Sequence, residues 1–345
     1  MSFFNEVEKR FDHKISSATE GFQIAVLKNN HLVFKENFGK TYRYYDLASL
    51  TKILYTVSAI QFLNEFELLM PDHSVKDYIS DWKNPNTKIK HLLTHTAGLD
   101  WWQPFYKKIP RALPIEEKKH IVYDHIVHSK SKLTKKSQYS DLDFILLNAL
   151  IEKSVGMPSE EFSKVLFECI DSPELFFQKN NRLKYKISDY APTEKCPWRN
   201  KQLQGQVHDD NTWAMGGVSG HAGLFGSLEA VIQWSQYFYQ SLHNNEDSWS
   251  RASTIQSYCH RAISKSRGDW ALGYMMPTEG RASCGRHFSK ASIGHTGFVG
   301  TSFWHDPKNK FTVIVLSNRV FPTRENQLFV KLRPILHDVA FELFN

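Results

Sequence analysis

The chain has 345 residues and a net charge of +7, and 41% of its residues are apolar, 14% aromatic and 23% charged. Because domains usually hold roughly 100–200 residues, this length is enough for one large domain or two packed ones with a sizeable core. The composition excludes disorder, collagen and coiled coil.

The first twenty residues carry no recognisable export signal. A secretory signal combines a basic start, an apolar run and a small-residue cleavage site, but Glu6, Glu8, Lys9 and Arg10 place charges where that run should be. We therefore expect a cytoplasmic chain, or a periplasmic one if a leader has been removed. No stretch is long and apolar enough to predict a membrane span.

The cysteines are widely spaced and form no Cys-x-x-Cys pair, so the sequence predicts neither a disulfide framework nor a metal site. We also expect no cofactor. Reduced and mostly buried thiols are expected at Cys169, Cys196, Cys259 and Cys284.

The positive charge has one local focus, the basic segment 128–136, which contains four lysines. Elsewhere the 43 Lys and Arg residues are spread along the chain beside 36 acidic ones. Nucleic-acid-binding proteins usually combine such a cluster with a recognisable module, and none is present here. We therefore expect no nucleic-acid partner.

Secondary structure is predicted to begin with a β-hairpin, because apolar runs at 22–27 and 31–34 flank an Asn-rich corner. From about 48 to 69, apolar residues recur at three- and four-residue steps, which predicts a helix. Further helices are predicted at 141–154, 160–170 and 229–242, the last with Ser227 as its N-cap.

Strand patterns return towards the C-terminus. Strands are predicted at 270–275, around 295–304 and at 311–316, with a turn at 306–310 between the last two. A helix at about 324–343 is predicted to follow them.

Strands at both chain ends around a helical block predict the fold class α/β (α+β). One antiparallel β-sheet would be built from both chain ends and flanked by helices, with a large all-helical insertion. Residues 1–47 and 266–345 would form the sheet domain, and residues 48–265 a mainly helical domain. The cleft between the two is the expected place for an active site.

The strongest local signal is Ser49-Leu-Thr-Lys52 at the start of a predicted helix. Three residues of helix separate the two polar side chains, so they project on neighbouring faces one turn apart. A serine hydroxyl becomes a good nucleophile when a neighbour takes its proton, and a lysine whose pKa is lowered by burial can help. The same four residues can also be an N-cap serine with a solvated lysine.

Two further segments carry candidate polar groups. Tyr139-Ser-Asp141 precedes an apolar helix, where a tyrosine beside a cation can act as a base or proton shuttle. Gly294-His-Thr-Gly297 lies in a predicted strand, where glycine allows a substrate to approach the backbone closely. Taken singly, Tyr139 can equally be a half-buried aromatic residue and His295 a core histidine.

In this order, the three segments resemble the motifs of the serine β-lactamase and penicillin-binding protein superfamily. The tyrosine that leads the second motif and His295 in the third are similar to its class C branch, which includes related esterases and D-peptidases. The stretches 91–99 and 216–225 agree with this, and the resemblance covers nearly the whole chain. It implies a β-lactamase/transpeptidase-like fold.

The resemblance also implies roles for individual residues. Ser49 would be the acylated nucleophile and Lys52 its partner. Tyr139 would activate Ser49 and later the water, while His295 would contact Tyr139 or the substrate carboxylate. The N–H groups of Ser49 and Phe298 would form an oxyanion hole. Substrate-binding positions would be Asp141, Thr296, Gly297, Phe298 and Trp101.

These residues predict a serine hydrolase that acts through an acyl-enzyme on an ester or amide, of the β-lactamase-related esterase or D,D-peptidase type. The alternative is a non-catalytic protein of the same fold that binds peptidoglycan or peptides. In either case the expected partner is a small-molecule or peptide substrate, including peptidoglycan-derived ones.

Two charged features leave alternatives open. Asp141 stands where many members of the superfamily have Asn, so it would either pair with Lys52 and raise its pKa or repel an anionic substrate. In this layout the basic segment 128–136 would lie near one rim of the cleft. It would be either a solvated loop or an attraction for an anionic substrate group.

Overall fold

The computed structural model describes residues 2–243 and 251–345. Near the start, the predicted hairpin forms from β1 (Gly21–Lys28) and β2 (His31–Gly39). Asn29 and Asn30 make its corner with φ values of 49° and 69°. Asparagine adopts this left-handed conformation more readily than most residues, which explains why the corner falls there.

Strands from the other end of the chain complete the sheet. They are β8 (Ile293–Thr296), β9 (Ser302–Asp306) and β10 (Phe311–Ser317). The strand order is β2-β1-β10-β9-β8, and every neighbouring pair is antiparallel. The prediction of one antiparallel sheet built from both chain ends is therefore confirmed.

The prediction of a strand at 270–275 is wrong. These residues make only single bridges, from Trp270 to Met275 and from Met275 to Gly294. The chain instead turns back on itself, because Gly273 has a φ of +85° and the Ala271 N–H donates to the Tyr274 carbonyl at 3.0 Å. The apolar character of this segment reflects burial rather than extended backbone.

Most of the helices lie in the chain between β2 and β8, and others flank the sheet. The helices are α1 (Phe3–Arg10), α2 (Ile15–Ala18), α3 (Ser58–Glu65), α4 (Ile89–Leu93), α5 (Phe105–Lys108), α6 (Ile115–Val127), α7 (Asp141–Val155), α8 (Ser159–Cys169), α9 (Asp210–Ala214), α10 (Leu228–His243), α11 (Ala252–Cys259) and α12 (Leu328–Phe344). The predicted helices at 141–154, 160–170 and 229–242 correspond to α7, α8 and α10.

The insertion is mainly helical, but the expectation that it is all-helical is wrong. It contains a two-stranded sheet of β5 (Pro192–Cys196) and β6 (Lys201–Gln204). It also supplies β4 (Leu175–Phe177) and β7 (Leu224–Gly226), which form a three-stranded sheet with β3 (Tyr45–Asp46) just before it. Strands of two to five residues are too short to produce a readable alternation of apolar and polar positions.

The predicted helix at 48–69 is helical but not a regular α-helix. A 3₁₀ turn at Ala48–Leu50 leads into a π-helix at Lys52–Val57, and α3 then ends at Glu65. Every residue of the π-helical stretch is buried. π-Helical turns are rare and often occur at functional sites.

Alternate residues of β1 face two separate cores, as the two-residue period of a strand requires. Ala25 and Leu27 belong to the larger core, which fills the space between the sheet and the helical insertion. Phe22, Ile24 and Val26 belong to the second core, which packs the other face of the sheet against α1 and α12.

The last helix begins four residues later than predicted, at Leu328, because the Asn326 side chain accepts its N–H at 3.0 Å. α1 and α12 are joined by Arg10, which binds the carboxylate of Glu342 at 2.7 Å. Among the described helices, none combines the length and apolar character needed to cross a membrane. All four cysteines are unpaired, and only Cys169 is exposed.

Candidate active site

Ser49 lies on the 3₁₀ turn that follows β3, and a buried carboxylate shapes this turn. Asp46 accepts the N–H of Ala48 at 2.8 Å and the N–H of His208 at 2.7 Å. Ala48 takes a φ of 46°, which is unusual for alanine. The turn therefore stores backbone strain at the residue before Ser49, and the Asp46 hydrogen bond stabilises it.

The structure brings the polar groups of the first two motifs together around Ser49. The Lys52 Nζ donates to the Ser49 Oγ at 3.1 Å, and the Tyr139 Oη donates to the same oxygen at 3.0 Å. The serine hydroxyl thus lies within hydrogen-bond reach of two groups that can exchange a proton with it.

Lys52 is fully buried, yet each of its three N–H donors has an acceptor. Besides Ser49, these are the Asp141 Oδ1 at 2.7 Å and the His221 carbonyl at 3.1 Å. Burial alone would lower the pKa of Lys52, but the Asp141 carboxylate and the Tyr139 hydroxyl raise it, and the net shift is upward. Lys52 is therefore an ammonium ion at neutral pH.

This result corrects one expectation and decides between two alternatives. The expectation that burial lowers the pKa of Lys52 is wrong, because Asp141 supplies a compensating negative charge. Of the two alternatives for Asp141, contact with Lys52 is the one that the geometry shows.

Tyr139 is held by aromatic contacts, although 36% of its surface is exposed. Its ring lies 4.8 Å from His95 and 6.1 Å from Trp270, measured between centroids. Desolvation and the Asp141 charge raise the pKa of the Tyr139 hydroxyl, and the Lys52 ammonium only partly offsets them. Tyr139 is a neutral phenol at neutral pH.

A buried pair of titratable groups lies beneath the Tyr139 loop. The His95 Nδ1 is 2.9 Å from the Asp143 Oδ2, and it also accepts the Ser140 N–H at 3.2 Å. Burial lowers the pKa of His95 well below its usual range and raises that of Asp143 well above it. The pair is therefore neutral overall, without two separated buried charges, and it anchors the backbone next to Tyr139.

A second pair supports Lys52 from the opposite side. The His221 Nε2 lies 3.1 Å from the Asp209 Oδ1, and Asp209 also accepts the Thr212 N–H at 2.7 Å. Burial raises the pKa of Asp209, but the interactions with His221 and Thr212 lower it by more than this, so the net shift is downward. This pair fixes the loop whose carbonyl receives Lys52.

The same region could accommodate a metal ion, although the sequence predicts no metal site. Ligand atoms of Asp141, Asp209 and His221 lie within 4.8 Å of one another. Carboxylate and imidazole are suitable ligands for a divalent cation. The Lys52 ammonium, however, already lies beside the Asp141 carboxylate, so a metal ion there would compete with the lysine.

His295 lies on β8 and is almost completely buried, with 1% of its surface exposed. Its Nδ1 is 2.9 Å from the Thr296 carbonyl, and within the described chain its Nε2 has no hydrogen-bond partner. The ring centroid is 6.1 Å from that of Tyr139. Burial and the charge of Lys52 lower the pKa of His295 to about 3. The expected basic group at this position is therefore uncharged at neutral pH.

The remaining predicted site residues border the same space. Gly297 packs so tightly that an added Cβ would lie 2.0 Å from the Thr301 Oγ1 and 2.8 Å from the Leu47 carbonyl. Phe298 is 48% exposed, and Trp101 is 59% exposed. The Trp101 carbonyl accepts the Asp141 N–H at 3.0 Å, which ties it to the second motif.

Sequence reasoning missed three groups at the site: Asp143, Asp209 and the His221 carbonyl. A signal for the last was present, because the stretch 216–225 agrees with the resemblance to the superfamily. The carbonyl itself carries no side-chain signature. Neither carboxylate was assigned a role, because neither follows a motif that predicts a buried imidazole partner.

Comparison with known proteins decides the family. A protein-family model described as Beta-lactamase matches residues 4–331, which is nearly the whole chain. The chain belongs to the Beta-lactamase family.

Curated relatives match along most of their length. A protein of Escherichia coli K12 named "Putative D-alanyl-D-alanine carboxypeptidase" is 26% identical over 364 residues, covering 91% of this chain and 82% of that protein. A protein of the same name from Salmonella agona is 27% identical over 353 residues, covering 89% of this chain and 80% of that protein.

Solved structures share the fold. Simvastatin synthase from Aspergillus terreus superposes with a TM-score of 0.75 at 14% identity, covering 100% of this chain and 99% of that chain. A penicillin-binding protein homologue from Pyrococcus abyssi gives 0.68 at 18% identity, covering 99% and 76%. The fold prediction is confirmed, and the chain is a serine hydrolase that acts through an acyl-enzyme on an ester or amide.

Proposed function

We propose that the chain hydrolyses the terminal peptide bond of peptides that end in D-amino acids, with Ser49 as the acylated residue, and that it also cleaves short esters. One observation carries the assignment of Ser49: its Oγ is 3.1 Å from the Lys52 Nζ and 3.0 Å from the Tyr139 Oη. The substrate class is supported by the name that the curated relatives carry.

In the proposed first step, the Ser49 oxygen bonds to the carbonyl carbon of the substrate and loses its proton. Lys52 and Tyr139 both donate to that oxygen at rest, so the Tyr139 hydroxyl must first lose its proton to solvent before the phenolate can accept the proton of Ser49. Asp141, 2.7 Å from the Lys52 Nζ, stabilises the charge of the lysine while Tyr139 acts as the phenolate acceptor.

In the proposed second step, Tyr139 returns this proton to the departing amine nitrogen, and the carbon–nitrogen bond breaks. Water then gives its proton to the same phenolate and attacks the acyl carbon. The acyl–oxygen bond breaks, Ser49 regains its proton, and the free acid leaves. Atoms and charges balance without a cofactor.

The proposed oxyanion hole consists of the N–H groups of Ser49 and Phe298. Support for Phe298 comes from its position after Gly297, whose own N–H is taken by the Thr301 carbonyl at 2.7 Å. Among the hydrogen bonds of the described residues, none uses the Phe298 N–H. Its ring, by contrast, is covered by the Arg319 guanidinium at 4.9 Å.

Penicillins are proposed to be poorer substrates than short neutral esters. A β-lactam carboxylate would meet a neutral His295, and the charge of Lys52 is already balanced by Asp141. Comparing kcat/KM for nitrocefin and a p-nitrophenyl ester tests this. A higher value for nitrocefin would contradict it.

Replacement of the nucleophile tests the proposal. Ser49→Ala should abolish covalent labelling by a fluorophosphonate, read by intact mass, and lower D-alanine release from a D-alanyl-D-alanine peptide by at least about a thousandfold. Ser257→Ala, on the exposed side of α11, is the matched control and should keep both activities. Unchanged labelling of Ser49→Ala would exclude Ser49. Labelling without D-alanine release would retain the hydrolase and exclude the D-peptide substrate.

A further inference from the structure

Five aromatic rings form a continuous aromatic row that starts at the edge of the cleft. Neighbouring ring centroids are 5.7 Å apart for Trp101 and Trp102, 6.3 Å for Trp102 and Tyr106, 4.5 Å for Tyr106 and Trp198, and 5.3 Å for Trp198 and Trp213. The row includes rings from three separate parts of the chain.

The first two rings form what we call the indole platform (Trp101 and Trp102), of which Trp101 is exposed and Trp102 partly exposed. Their planes are inclined by only 29°, and Trp101 is 59% exposed. Large exposed aromatic surface next to a site usually indicates a contact with a ligand. A role in the core does not explain Trp101, because most of its surface faces solvent.

The rest of the row supports the platform. Tyr106 meets Trp198 edge to face, and Trp198 meets Trp213 in the same way. The Arg111 guanidinium lies 4.9 Å from the Trp198 centroid, and that of Arg199 lies 4.9 Å from the Trp213 centroid. The rings of Trp198 and Trp213 are already covered by these contacts, so the indole platform is the part of the row that is left to contact a ligand.

The platform is attached directly to the catalytic cleft. The Asp141 N–H donates to the Trp101 carbonyl at 3.0 Å, and the Ser140 hydroxyl donates to the Asp100 carbonyl at 2.6 Å. The backbone of the platform is therefore tied to the segment that carries Tyr139 and Asp141, which contact Ser49 and Lys52.

The chain segment that follows the platform is positively charged. It contains Lys107, Lys108 and Arg111, and residues 101–115 include no Asp or Glu. The nearest preceding carboxylate, that of Asp100, accepts the Gln103 side-chain amide at 2.6 Å. This rim complements a negatively charged ligand.

We propose that the indole platform binds a carboxylate-bearing oligosaccharide portion of the substrate. The flat C–H face of a sugar ring packs on an indole while its hydroxyl groups stay in water, which suits an open and mostly exposed surface. An acyl chain would require an enclosed aliphatic groove. The lysines at the rim select a saccharide with carboxylates. The placement on the substrate rests on the proposed function, but binding at the platform does not require turnover.

Binding is measured with the Ser49→Ala variant, so that the test is independent of catalysis. A tetrasaccharide of galacturonic acid should quench tryptophan fluorescence and bind more tightly than a neutral tetrasaccharide of N-acetylglucosamine, and the difference should shrink at high salt. Adding Trp101→Ala and Trp102→Ala should raise the Kd of the acidic probe by about tenfold. Adding Phe66→Ala, which removes a ring of equal exposure on a distant surface, should leave it unchanged.

The rim is tested with charge-removing variants. Lys107→Gln with Lys108→Gln should weaken binding of the acidic probe only, whereas Lys331→Gln, at an exposed position of α12, should weaken binding of neither probe. Equal affinity for the two probes, or binding only of an acyl chain such as octanoate, would overturn the proposal. So would an equal loss with Phe66→Ala, or a failure of the folded Ser49→Ala protein itself to bind the acidic probe. Failure here with intact labelling of Ser49 would leave the hydrolase assignment standing.

Discussion

At the scale of single residues, the charge of Asp141 determines the protonation of the groups around Ser49. Its carboxylate lies 2.7 Å from Lys52 and raises the pKa values of both Lys52 and Tyr139. An enzyme that needs one of these groups deprotonated must therefore be most active on the alkaline side. An asparagine at the same position would keep a hydrogen bond without the charge.

Asp141→Asn should therefore move the rising limb of kcat/KM to lower pH. Because the carboxylate raises both pKa values, its removal lowers them, by roughly one unit or more for a charge in contact. The measurement is a pH profile of p-nitrophenyl ester hydrolysis between pH 6 and 11, an interval spanning the usual values of these groups.

Asp100→Asn is the matched control for this profile, because its carboxylate contacts Gln103 rather than Lys52. This variant should leave the rising limb of kcat/KM at the same pH as in the unmodified protein. A limb that stays in place in Asp141→Asn, or moves to higher pH, would show that the Lys52–Tyr139 pair does not supply the base.

The sequence predicted which side chains form this cluster but not their protonation states. The spacing of Ser49 and Lys52 along a helix predicted that these two side chains lie close together. That Tyr139 meets them was implied by the resemblance to the superfamily. The protonation of Lys52 depends on Asp141 and on a main-chain carbonyl at His221, whose positions follow only from the tertiary fold.

At the scale of secondary-structure elements, the start of α10 is a local feature that can be tested alone. The Ser227 Oγ accepts the Ala230 N–H at 3.1 Å, as expected of an N-cap. Ser227→Ala should lower the free energy of unfolding by about 1 kcal/mol, measured in urea, and leave catalysis unchanged. Ser257→Ala, whose hydroxyl bonds inside α11, should cost less. Equal losses would mean that Ser227 is not acting as a cap.

The turn between β8 and β9 couples the sheet to the segment that carries Ser49. Gly297→Ala would bring a methyl group against the Leu47 carbonyl and the Thr301 hydroxyl, so the turn or the Ser49 segment must shift. We expect a loss of about 1–3 kcal/mol, the usual cost of overpacking, together with a loss of kcat.

Gly280→Ala separates crowding from backbone strain in this test. Gly280 has a φ of +75° but open space around its Cα, so alanine there should cost only about 1 kcal/mol and leave kcat unchanged. If Gly297→Ala retained full activity, the tight contact with Leu47 would have no catalytic importance.

Elements were predictable where their pattern is long and regular. α7 and α10 repeat apolar residues over four turns, and their bounds were predicted closely. The π-helix at Lys52–Val57 and the turn at Gly273 were not predicted from the sequence, because each depends on burial by other parts of the chain. Short apolar segments such as 270–275 look alike whether they form a strand or a buried turn.

At the scale of the whole molecule, the central strands should be the last part to open. β1 and β10 lie in the interior of the sheet, and all residues of β10 are buried. Amides of β10 should exchange hydrogen only by global unfolding, so their protection should match the free energy of unfolding in urea. β2, an exposed edge, should exchange earlier. Faster exchange in β10 than in β2 would contradict this.

The sheet was predictable because both chain ends carry strand patterns, whereas the small sheets in the insertion were not. β3 and β7 contain only two and three residues, and they pair across most of the insertion. Their pairing is a product of the tertiary fold and not of local sequence.

The pairing of the two chain ends also sets an order for biosynthesis. Val26 of β1 lies opposite Val313 of β10, so β1 emerges from the ribosome long before its partner exists. Until then, the β1–β2 hairpin exposes an edge and two apolar faces that later belong to both cores. The nascent chain is therefore most vulnerable to aggregation during the synthesis of its middle, and productive folding of the sheet can only follow nearly complete translation.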